Sequence, residues 1–309
     1  MPDIIFTGYP SIDSIIKVEK LPNPNETAII DEDFYKNFKL TYGGCAVNAS
    51  IIASQLGAKV GLSMVVGYDF RSSGYEERLT HYSIDISDVL IVKEKKTSQT
   101  FIFFDNDGNQ MTFFYPGAAI EKRGTVPTLR NVRLVCITVG NPFHIEKIAR
   151  KSISNNIPIV WNLKKDVYSY PSHLVDLLSN NFSYVVCNNH ELEFLLKHRD
   201  LKDLFARKKA QAIIVTQGEN GAKILKDNQV IHIITPTPKK VIDPTGAGDA
   251  FLGAFCYGIN RGFNIEKSVE LGTVLGSFAV EEMGAQIEKL DKNKIKNRYL
   301  NTFSKNLIL

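Results

Sequence analysis

The sequence predicts an α/β fold: a doubly wound, mostly parallel β-sheet with helices on both faces and a small β lid. Short apolar runs alternate along the chain with longer segments of helical pattern. Continuous apolar strands separated by helices indicate βαβ units, whose sheet is buried on both sides. With 309 residues, 44% of them hydrophobic and 23% charged, the chain has the length and composition of an ordinary α/β domain.

The predicted elements follow one another along the whole chain. Strands are predicted for DIIFTGY, KVGLSMVVG, RLVCITVG, IPIVWNL, SYVVCN and AIIVTQG. Helices are predicted for GCAVNASIIASQLGA, FHIEKIARKSISNN and HELEFLLKH. The sequence has no internal repeat and no low-complexity linker, so we expect residues 1–309 to form one domain. The basic segment EKLDKNKIKNRYLNTFSK near the end is typical of a solvated helix face and a frayed tail.

Two segments interrupt this alternation and predict the lid. Residues 14–42 are punctuated by Pro and Asn, and residues 97–117 resemble a hairpin with Asp107 and Gly108 in its turn. Successive side chains of a strand point to opposite faces, so both faces of the hairpin are apolar. On the first arm Phe101 and Phe103 point one way and Ile102 and Phe104 the other, and on the second arm Met111, Phe113 and Tyr115 oppose Phe114. A substrate can cover one face and a second subunit the other, which predicts a homodimer joined through its lids.

Charge, hydropathy and cysteine spacing exclude several classes of protein. A net charge of +4 without an Arg-rich arm argues against a nucleic-acid partner. No apolar run approaches the roughly 18 residues that cross a bilayer, and the N-terminus lacks a signal-peptide core. Cys45, Cys136, Cys187 and Cys256 are scattered and form no CxxC pair, as in a protein with reduced thiols. We therefore expect a cytoplasmic protein without a membrane partner.

The segment KVIDPTGAGDAFLGAF carries the strongest chemical signal. A β-like KKVI precedes Gly246, Ala247 and Gly248, and an apolar stretch follows them, so we expect a helix to begin there. Free N–H groups and the positive end of the helix dipole make such a terminus an anion site. The phosphate-loop patterns GxxxxGK[ST] and GxGxxG are both absent.

Asp249 follows this anion site directly, which raises the question of its role. A site that only binds phosphate gains nothing from a carboxylate, because like charges repel. A phosphoryl-transfer site needs a carboxylate near the γ-phosphate to accept the proton of the attacking hydroxyl. The adjacent N–H groups would stabilise the transferring group. Asp249 is therefore a candidate catalytic base, and a helix-capping aspartate is the alternative that this stretch leaves open.

Five segments in the same order resemble motifs of the PfkB, or ribokinase-like, carbohydrate kinase family, and together they span nearly the whole chain. DPTGAGDAFLGAF resembles its C-terminal signature, and GYPSID and YGGCAVNAS resemble its N-terminal elements. NNHE resembles its NxxE motif, and VTQGENGA its nucleotide-binding TxGxxG motif. The resemblance implies the ribokinase-like fold and an ATP- and Mg²⁺-dependent kinase.

The resemblance also implies roles for individual residues. Asp249 would be the base and Gly246, Ala247 and Gly248 the anion hole. The acceptor would be bound by Asp13, Gly43, Gly44 and Asn48. ATP would be bound by Asn188, Thr216, Gly218 and Gly221. Glu191 would hold Mg²⁺ through water. A monovalent cation, K⁺, is implied beside the anion hole, near Asp243, Gly284 and Ala285.

Two further segments indicate which substrate the kinase would use. They look most like the corresponding segments of the archaeal nucleoside kinases of this family: VGYDFRSSGYEERLTHYSIDIS and DNDGNQMTFFYPGAA. These kinases act on a ribose 5′-hydroxyl, and the aromatic hairpin could stack on a base, although ordinary lid packing also explains it. Ribokinase or another sugar kinase is the alternative enzyme, and a sensing module without turnover is the alternative outside catalysis. The central-strand segment VWNLKKD departs from the pattern: Asn162 stands where closer relatives tend to carry Asp, so no contact is inferred from it.

Overall fold

The strands and helices of the chain are defined by a computed structural model, which describes residues 1–30, 40–107, 109–122, 126–164, 166, 169–206, 209–226 and 229–309. The strands are β1 (Ile4–Thr7), β2 (Ser11–Lys17), β3 (Leu40–Gly43), β4 (Val60–Ser63), β5 (Val65–Gly67), β6 (Leu90–Val92), β7 (Gln99–Phe104), β8 (Gln110–Tyr115), β9 (Leu134–Ile137), β10 (Ile159–Asn162), β11 (Tyr184–Asn188), β12 (Ala212–Thr216), β13 (Ala222–Lys226) and β14 (Gln229–Ile233). The helices are α1 (Cys45–Leu56), α2 (Tyr75–His81), α3 (Pro142–Ser154), α4 (Ser172–Ser179), α5 (Asn189–Leu196), α6 (Leu201–Phe205), α7 (Ala247–Asn260), α8 (Ile265–Ala279) and α9 (Lys292–Phe303).

Eight strands form the main sheet in the order β14-β13-β12-β11-β10-β9-β1-β4. The strands from β4 to β12 in this order are parallel, and β13 and β14 complete one edge as antiparallel strands. All residues of β1, β4, β9 and β10 are buried, as expected for parallel strands with helices on both faces. The doubly wound α/β fold predicted from the sequence is confirmed.

The strand order also marks where a ligand should bind. β4 and β9 lie on opposite sides of β1, so the chain turns in opposite directions at the carboxyl ends of β1 and β9. In open α/β sheets, ligands bind in the crevice at such a switch point. The second sheet begins just after this point, because β2 starts four residues beyond the end of β1.

The lid is a separate four-stranded sheet with the order β3-β2-β7-β8. It joins the two segments that interrupt the α/β alternation, although its first strand begins at Ser11 rather than at residue 14. Asp13 pairs in register with Thr41 and Thr100, and Thr100 pairs with Phe114, so these four residues lie in one row on one face. Gly108 of the predicted turn and residues 31–39 lie outside the described residues.

Apolar clusters pack on both faces of the main sheet. One joins the sheet to α1, α7, α8 and α9, and the other joins it to α3, α4 and α5. The second cluster contains Trp161 on β10, which is fully buried and lies edge-on to Tyr170, with ring centroids 5.7 Å apart. The basic C-terminal segment is also anchored in the core, because Ile295 and Tyr299 of α9 are buried. Within the described ranges, no helix is both long enough and apolar enough to cross a membrane.

Candidate active site

Helix α7 begins at the predicted glycine segment, with Gly246 as its N-cap residue in the left-handed region at φ 80°. A Cβ atom on Gly246 would lie 2.4 Å from the backbone oxygen of Ala285, so the position requires glycine for both conformation and space. Gly248 differs from Gly246, because a Cβ atom there would meet no atom within 4 Å. The start of α7 is therefore packed against the chain at Gly246 and open at Gly248.

The amide groups at the start of α7 are partly free. The Ala247 N–H donates to the Pro244 carbonyl at 3.3 Å, and the Ala250 N–H donates to the Gly246 carbonyl at 2.8 Å. The Gly246 and Gly248 N–H groups have no acceptor in the described part of the chain. Unpaired N–H groups and the positive helix end are the features that bind phosphate oxygens.

Asp249 lies in the first turn of α7 and is held by Asn48 of α1. The Asn48 Nδ2 group donates to Asp249 Oδ2 at 2.8 Å. The N-cap of α7 is Gly246 and receives no side-chain hydrogen bond. The Asp249 carboxylate thus bonds to a neighbouring helix, and its role as the catalytic base stays a prediction. Asn48 itself is buried.

Asp13 and Gly43 meet where the lid joins the body. A Cβ atom on Gly43 would lie 2.4 Å from Asp13 Oδ2, so the glycine leaves room for the carboxylate. Ser11 donates a hydrogen bond to Asp13 Oδ1, and the Ser11 and Thr100 hydroxyls lie 2.6 Å apart. Burial raises the pKa of the Asp13 carboxyl above its ordinary value, and the Ser11 and Thr100 hydroxyls only partly offset this.

Gly44 connects Asp13 and Gly43 to Asn48. It is the N-cap of α1 at φ 104°, and a Cβ atom on it would lie 2.2 Å from the Tyr9 backbone oxygen. The buried Tyr75 donates to the Gly43 carbonyl at 2.5 Å and fixes this turn from below. Tyr75 carries no motif signal in the sequence. The predicted acceptor residues thus form one continuous surface that reaches Asp249.

Asn188 and Glu191 form a capping box at the start of α5. The Asn188 N–H donates to Glu191 Oε2 at 2.7 Å, and the Glu191 N–H donates to Asn188 Oδ1 at 2.9 Å. In the NxxE motif each side chain therefore satisfies the backbone of the other. The remaining carboxylate oxygen, Glu191 Oε1, lies 3.6 Å from the Lys164 ammonium. A carboxylate oxygen of this kind fits a Mg²⁺ ion that keeps part of its water shell.

Lys164 is a site residue that the sequence analysis did not identify. It follows β10 at the carboxyl edge of the sheet. Burial acts to lower the pKa of its amine, but the charges of the nearby Glu191 and Asp249 carboxylates act against burial, and the pKa is raised. Lys164 therefore places a positive charge between the two predicted carboxylates.

The TxGxxG segment lies beside the capping box. Thr216 at the end of β12 pairs in register with Asn188 at the end of β11. Gly218 (φ 58°) and Gly221 (φ 80°) enclose a single 3₁₀ turn that joins β12 to β13. A Cβ atom on Gly221 would lie 2.0 Å from the Ile233 backbone oxygen, so β14 approaches too closely for any other residue.

Asp243 connects the loop before α7 to the turn at residue 284. Its Oδ1 accepts from the Thr245 N–H at 2.9 Å, and its Oδ2 accepts from the Gly284 N–H at 2.9 Å. Burial acts to raise the pKa of Asp243, but these hydrogen bonds outweigh burial and lower it. The segments predicted to flank a monovalent cation are thus in contact. Within the described ranges, no group of three or more His, Cys, Asp or Glu side chains could hold a metal ion.

The surroundings of Asn162 and of the cysteines indicate structural roles for these residues. Asn162 Nδ2 donates to the Val186 carbonyl at 3.2 Å and ties β10 to β11, while its Oδ1 has no partner among the described residues. All four cysteines are free, as predicted. Burial is the main cause that raises the pKa of the Cys45 thiol, and the nearby Asp249 charge adds to it, so Cys45 stays neutral beside Asp249.

The arrangement combines a carboxylate, free helix amides, a lysine and a second carboxylate around one crevice.

Residues 1–293 match the family described as pfkB family carbohydrate kinase. The chain is a member of the pfkB family. It is 33% identical over 306 residues to a nucleoside kinase of Methanocaldococcus jannaschii, covering 96% of this chain and 99% of that protein. It is 27% identical over 301 residues to a nucleoside kinase of Methanothermobacter thermautotrophicus, covering 96% and 95%.

The crystal structure of the Methanocaldococcus jannaschii nucleoside kinase, described as an archaeal member of the ribokinase family, has the same fold. It superimposes with a TM-score of 0.88 at 31% identity, covering 97% of this chain and 98% of that one. The resemblance to the pfkB family and to its archaeal nucleoside kinases is therefore confirmed. The protein is an enzyme, a phosphotransferase with an alcohol group as acceptor, and its relatives identify it as a nucleoside or sugar kinase.

Proposed function

We propose that this pfkB-family enzyme transfers the γ-phosphate of ATP to the 5′-hydroxyl of a ribonucleoside, with Mg²⁺ as its metal. The observation that carries the proposal is the hydrogen bond from Asn48 to Asp249 at the open start of α7. It directs a carboxylate at the place where free amides can bind a transferring phosphoryl group. Ribokinase-type activity on a free sugar uses the same groups and is the second candidate.

In the proposed reaction, Asp249 accepts the proton of the acceptor hydroxyl while that oxygen attacks the γ-phosphorus. The bond between the γ-phosphorus and the β–γ bridging oxygen breaks, and ADP leaves. The free amides of Gly246 and Gly248 bind the oxygens of the transferring group, and the Ala247 amide joins them by giving up its 3.3 Å bond to the Pro244 carbonyl. Lys164 adds a positive charge on the other side. Glu191 Oε1 would hold Mg²⁺ through water, and the ion would neutralise charge on the phosphate oxygens.

The lid geometry supports a nucleoside as the acceptor. Asp13 and Phe114 lie in one row on the same face, with β7 between their strands. Neighbouring strands are about 4.8 Å apart, so the two side chains stand about 10 Å apart across the sheet. Ribose hydroxyls on Asp13 would thus leave the base near Phe114, whose ring lies 5.4 Å from that of Tyr9 and is 45% exposed. An exposed aromatic ring at this distance suits a flat base.

ATP would lie along the carboxyl edge formed by Asn188, Thr216, Gly218 and Gly221. Two large apolar side chains, Val241 and Met283, are 69% and 75% exposed and flank the Asp243–Gly284 hydrogen bond. They offer an apolar surface for the adenine ring beside the anion hole. A K⁺ ion near Asp243, Gly284 and Ala285, a cytoplasmic location and a homodimer joined through the lids complete the proposal.

The first test replaces Asp249 with Asn, which keeps the shape of the side chain and the contact with Asn48 but cannot accept a proton. We expect kcat to fall about 10²- to 10⁴-fold, while ATP binding measured by calorimetry stays within a factor of a few. Near-normal turnover of Asp249→Asn would remove the catalytic role of this residue.

The second test compares ribonucleosides with free ribose and fructose in the presence of ATP and Mg²⁺. We expect kcat/KM to be highest for a ribonucleoside, because binding energy from the base helps to close the lid. Phe114→Ala should lower kcat/KM for the nucleoside by about 10-fold and leave the value for ribose within about twofold. Equal activity on ribose and on nucleosides would favour the sugar-kinase alternative.

A further inference from the structure

A row of hydrogen-bonded side chains runs from the protein surface to Asp249. Gln286 Nε2 donates to Asn48 Oδ1 at 2.9 Å, and Asn48 Nδ2 donates to Asp249 Oδ2 at 2.8 Å. Behind Gln286, Arg78 of α2 donates to Gln286 Oε1 from Nε at 3.2 Å and from an Nη atom at 2.9 Å. Four side chains from four different segments are thus connected in one line.

The direction of every bond in this row is fixed by Arg78. A guanidinium group is always protonated and has only donors, so the atom of Gln286 that faces it must be the oxygen. The Gln286 amide nitrogen is then turned towards Asn48 and the Tyr42 carbonyl, to which it also donates. Asn48 must accept with its oxygen and present its nitrogen to Asp249. An amide that could otherwise adopt two orientations is held in one of them.

Arg78 is itself anchored from the other side. Its two Nη atoms donate to the Glu288 carboxylate, each at 2.9 Å, and its guanidinium lies 5.0 Å from the centroid of the Tyr82 ring. Hydrogen bonds from Arg78, only partly opposed by burial, lower the pKa of Glu288, so this anchor is charged at neutral pH. The row therefore begins at a fixed ion pair and ends at the carboxylate in the crevice.

We propose that Gln286 and Arg78 are positioning residues for phosphoryl transfer, which hold the Asp249 carboxylate in its reactive orientation through Asn48. The inference rests on the proposed role of Asp249 as the base. A carboxylate held at one oxygen keeps its plane and leaves its other oxygen directed at the acceptor. A misplacement of a reacting group by about 1 Å can cost about 100-fold in rate, so a residue two bonds away can control turnover.

The decisive variant is Gln286→Glu, which has nearly the same shape and removes the amide that donates to Asn48 and to the Tyr42 carbonyl. Arg78 keeps its partner, because a carboxylate at position 286 accepts from it even better than an amide. Asn48 then either loses the hydrogen bond that its oxygen accepts from residue 286, or its amide rotates. After rotation its nitrogen faces position 286 and its oxygen faces Asp249. We expect kcat to fall about 10- to 100-fold, the range that a hydrogen bond to a charged group accounts for. KM for ATP should change by less than about twofold.

The matched control for the guanidinium is a second arginine next to α2. Arg71 pairs with Glu76 at 2.6 Å, but its side chain is 85% exposed and it lies outside the row. Arg78→Gln and Arg71→Gln both remove one positive charge and one ion pair. We expect Arg78→Gln to lower kcat several-fold and Arg71→Gln to leave it within about twofold. Circular dichroism at the assay temperature identifies any variant that has lost its fold.

A double-mutant cycle separates positioning from a general structural effect. If Gln286 acts through Asn48, then Gln286→Glu should change kcat by less than about twofold once Asn48→Ala is present. An equal loss in both backgrounds would overturn the inference, as would unchanged kcat in Gln286→Glu alone. An active Asp249→Asn variant would instead remove the proposed base. An inactive Asp249→Asn with an additive cycle would leave the base in place and remove only the positioning role.

Discussion

Lys164 shows what a single side chain outside the motifs can add to the site. Its ammonium lies 3.6 Å from Glu191 Oε1, and its side chain is 32% exposed. The glycines of the anion hole supply partial positive charge from N–H groups, whereas Lys164 supplies a full charge on a flexible stem. This charge is directed at the space where negative charge would accumulate during transfer.

We expect Lys164→Met to lower kcat about 10- to 1000-fold, because the variant keeps the length of the side chain and removes its charge. Steady-state kinetics at saturating ATP and nucleoside would measure the loss. The control is Lys202→Met on α6, which alters an exposed lysine outside the site and should leave kcat within about twofold. If both variants turn over at the normal rate, Lys164 has no part in transfer.

Residues of the site divide into those that a sequence can reveal and those that it cannot. Gly246 and Gly221 are required by backbone approaches below 2.5 Å, so their spacing is constrained and recognisable. Lys164 and Gln286 face no such constraint, because a flexible side chain can reach the crevice from many positions. Only the folded chain brings Gln286 to Asn48, which lies 238 residues away.

Helix α5 illustrates how one element can serve structure and chemistry together. Asn188 and Glu191 complete the capping box at its start, so either residue would be favoured there without any catalytic role. The second oxygen of Glu191 remains directed at Lys164. The structural and the proposed metal-binding roles thus fall on two oxygens of one carboxylate.

Glu191→Gln separates the two roles, because glutamine can also complete a capping box but carries no charge. We expect its melting temperature to stay within about 2 °C of the wild type and the Mg²⁺ concentration for half-maximal activity to rise about 10-fold. Glu191→Ala, which loses both roles, should also melt at a lower temperature. An unchanged Mg²⁺ requirement in Glu191→Gln would assign the residue to capping alone.

The sequence predicts an element well where its apolar pattern is unambiguous, and the elements that it mispredicts lack such a pattern. KVGLSMVVG looked like one strand, but the chain leaves the main sheet at Met64, and β5 pairs with β6 instead. An apolar run does not specify which neighbour will cover it. Helix α8 was not predicted, and it is buried along most of its length, so that even polar residues such as Glu270 and Thr273 are buried. The antiparallel β14 was missed because it is largely exposed at the sheet edge.

At the scale of the molecule, the lid leaves more apolar surface exposed than one substrate can cover. Phe113 and Tyr115 lie on the face opposite to Asp13 and are 54% and 46% exposed. Met111 on the same face is 37% exposed. Exposed apolar side chains grouped on one edge strand are typical of a contact with a second subunit. This supports the proposed homodimer.

We expect light scattering on a sizing column to give about twice the 34.6 kDa of one chain, and Phe113→Asp to shift the mass to that of the monomer. Phe113 suits this test because it lies on the face opposite to Asp13, away from the proposed acceptor site. Phe143→Asp on α3 is the matched control, since that ring is 46% exposed and lies outside the lid. A wild-type protein with the mass of one chain would contradict the proposal.

Trp161 gives the enzyme a built-in optical reporter, since it is the only tryptophan of the sequence. Its indole is buried in the core against Tyr170, and the next residue along β10, Asn162, is buried and bonds to β11. An indole in apolar surroundings emits at shorter wavelength than one in water, so the emission colour of a single residue follows folding of the whole sheet. Unfolding of the main sheet should therefore shift this emission to longer wavelength, without any attached dye.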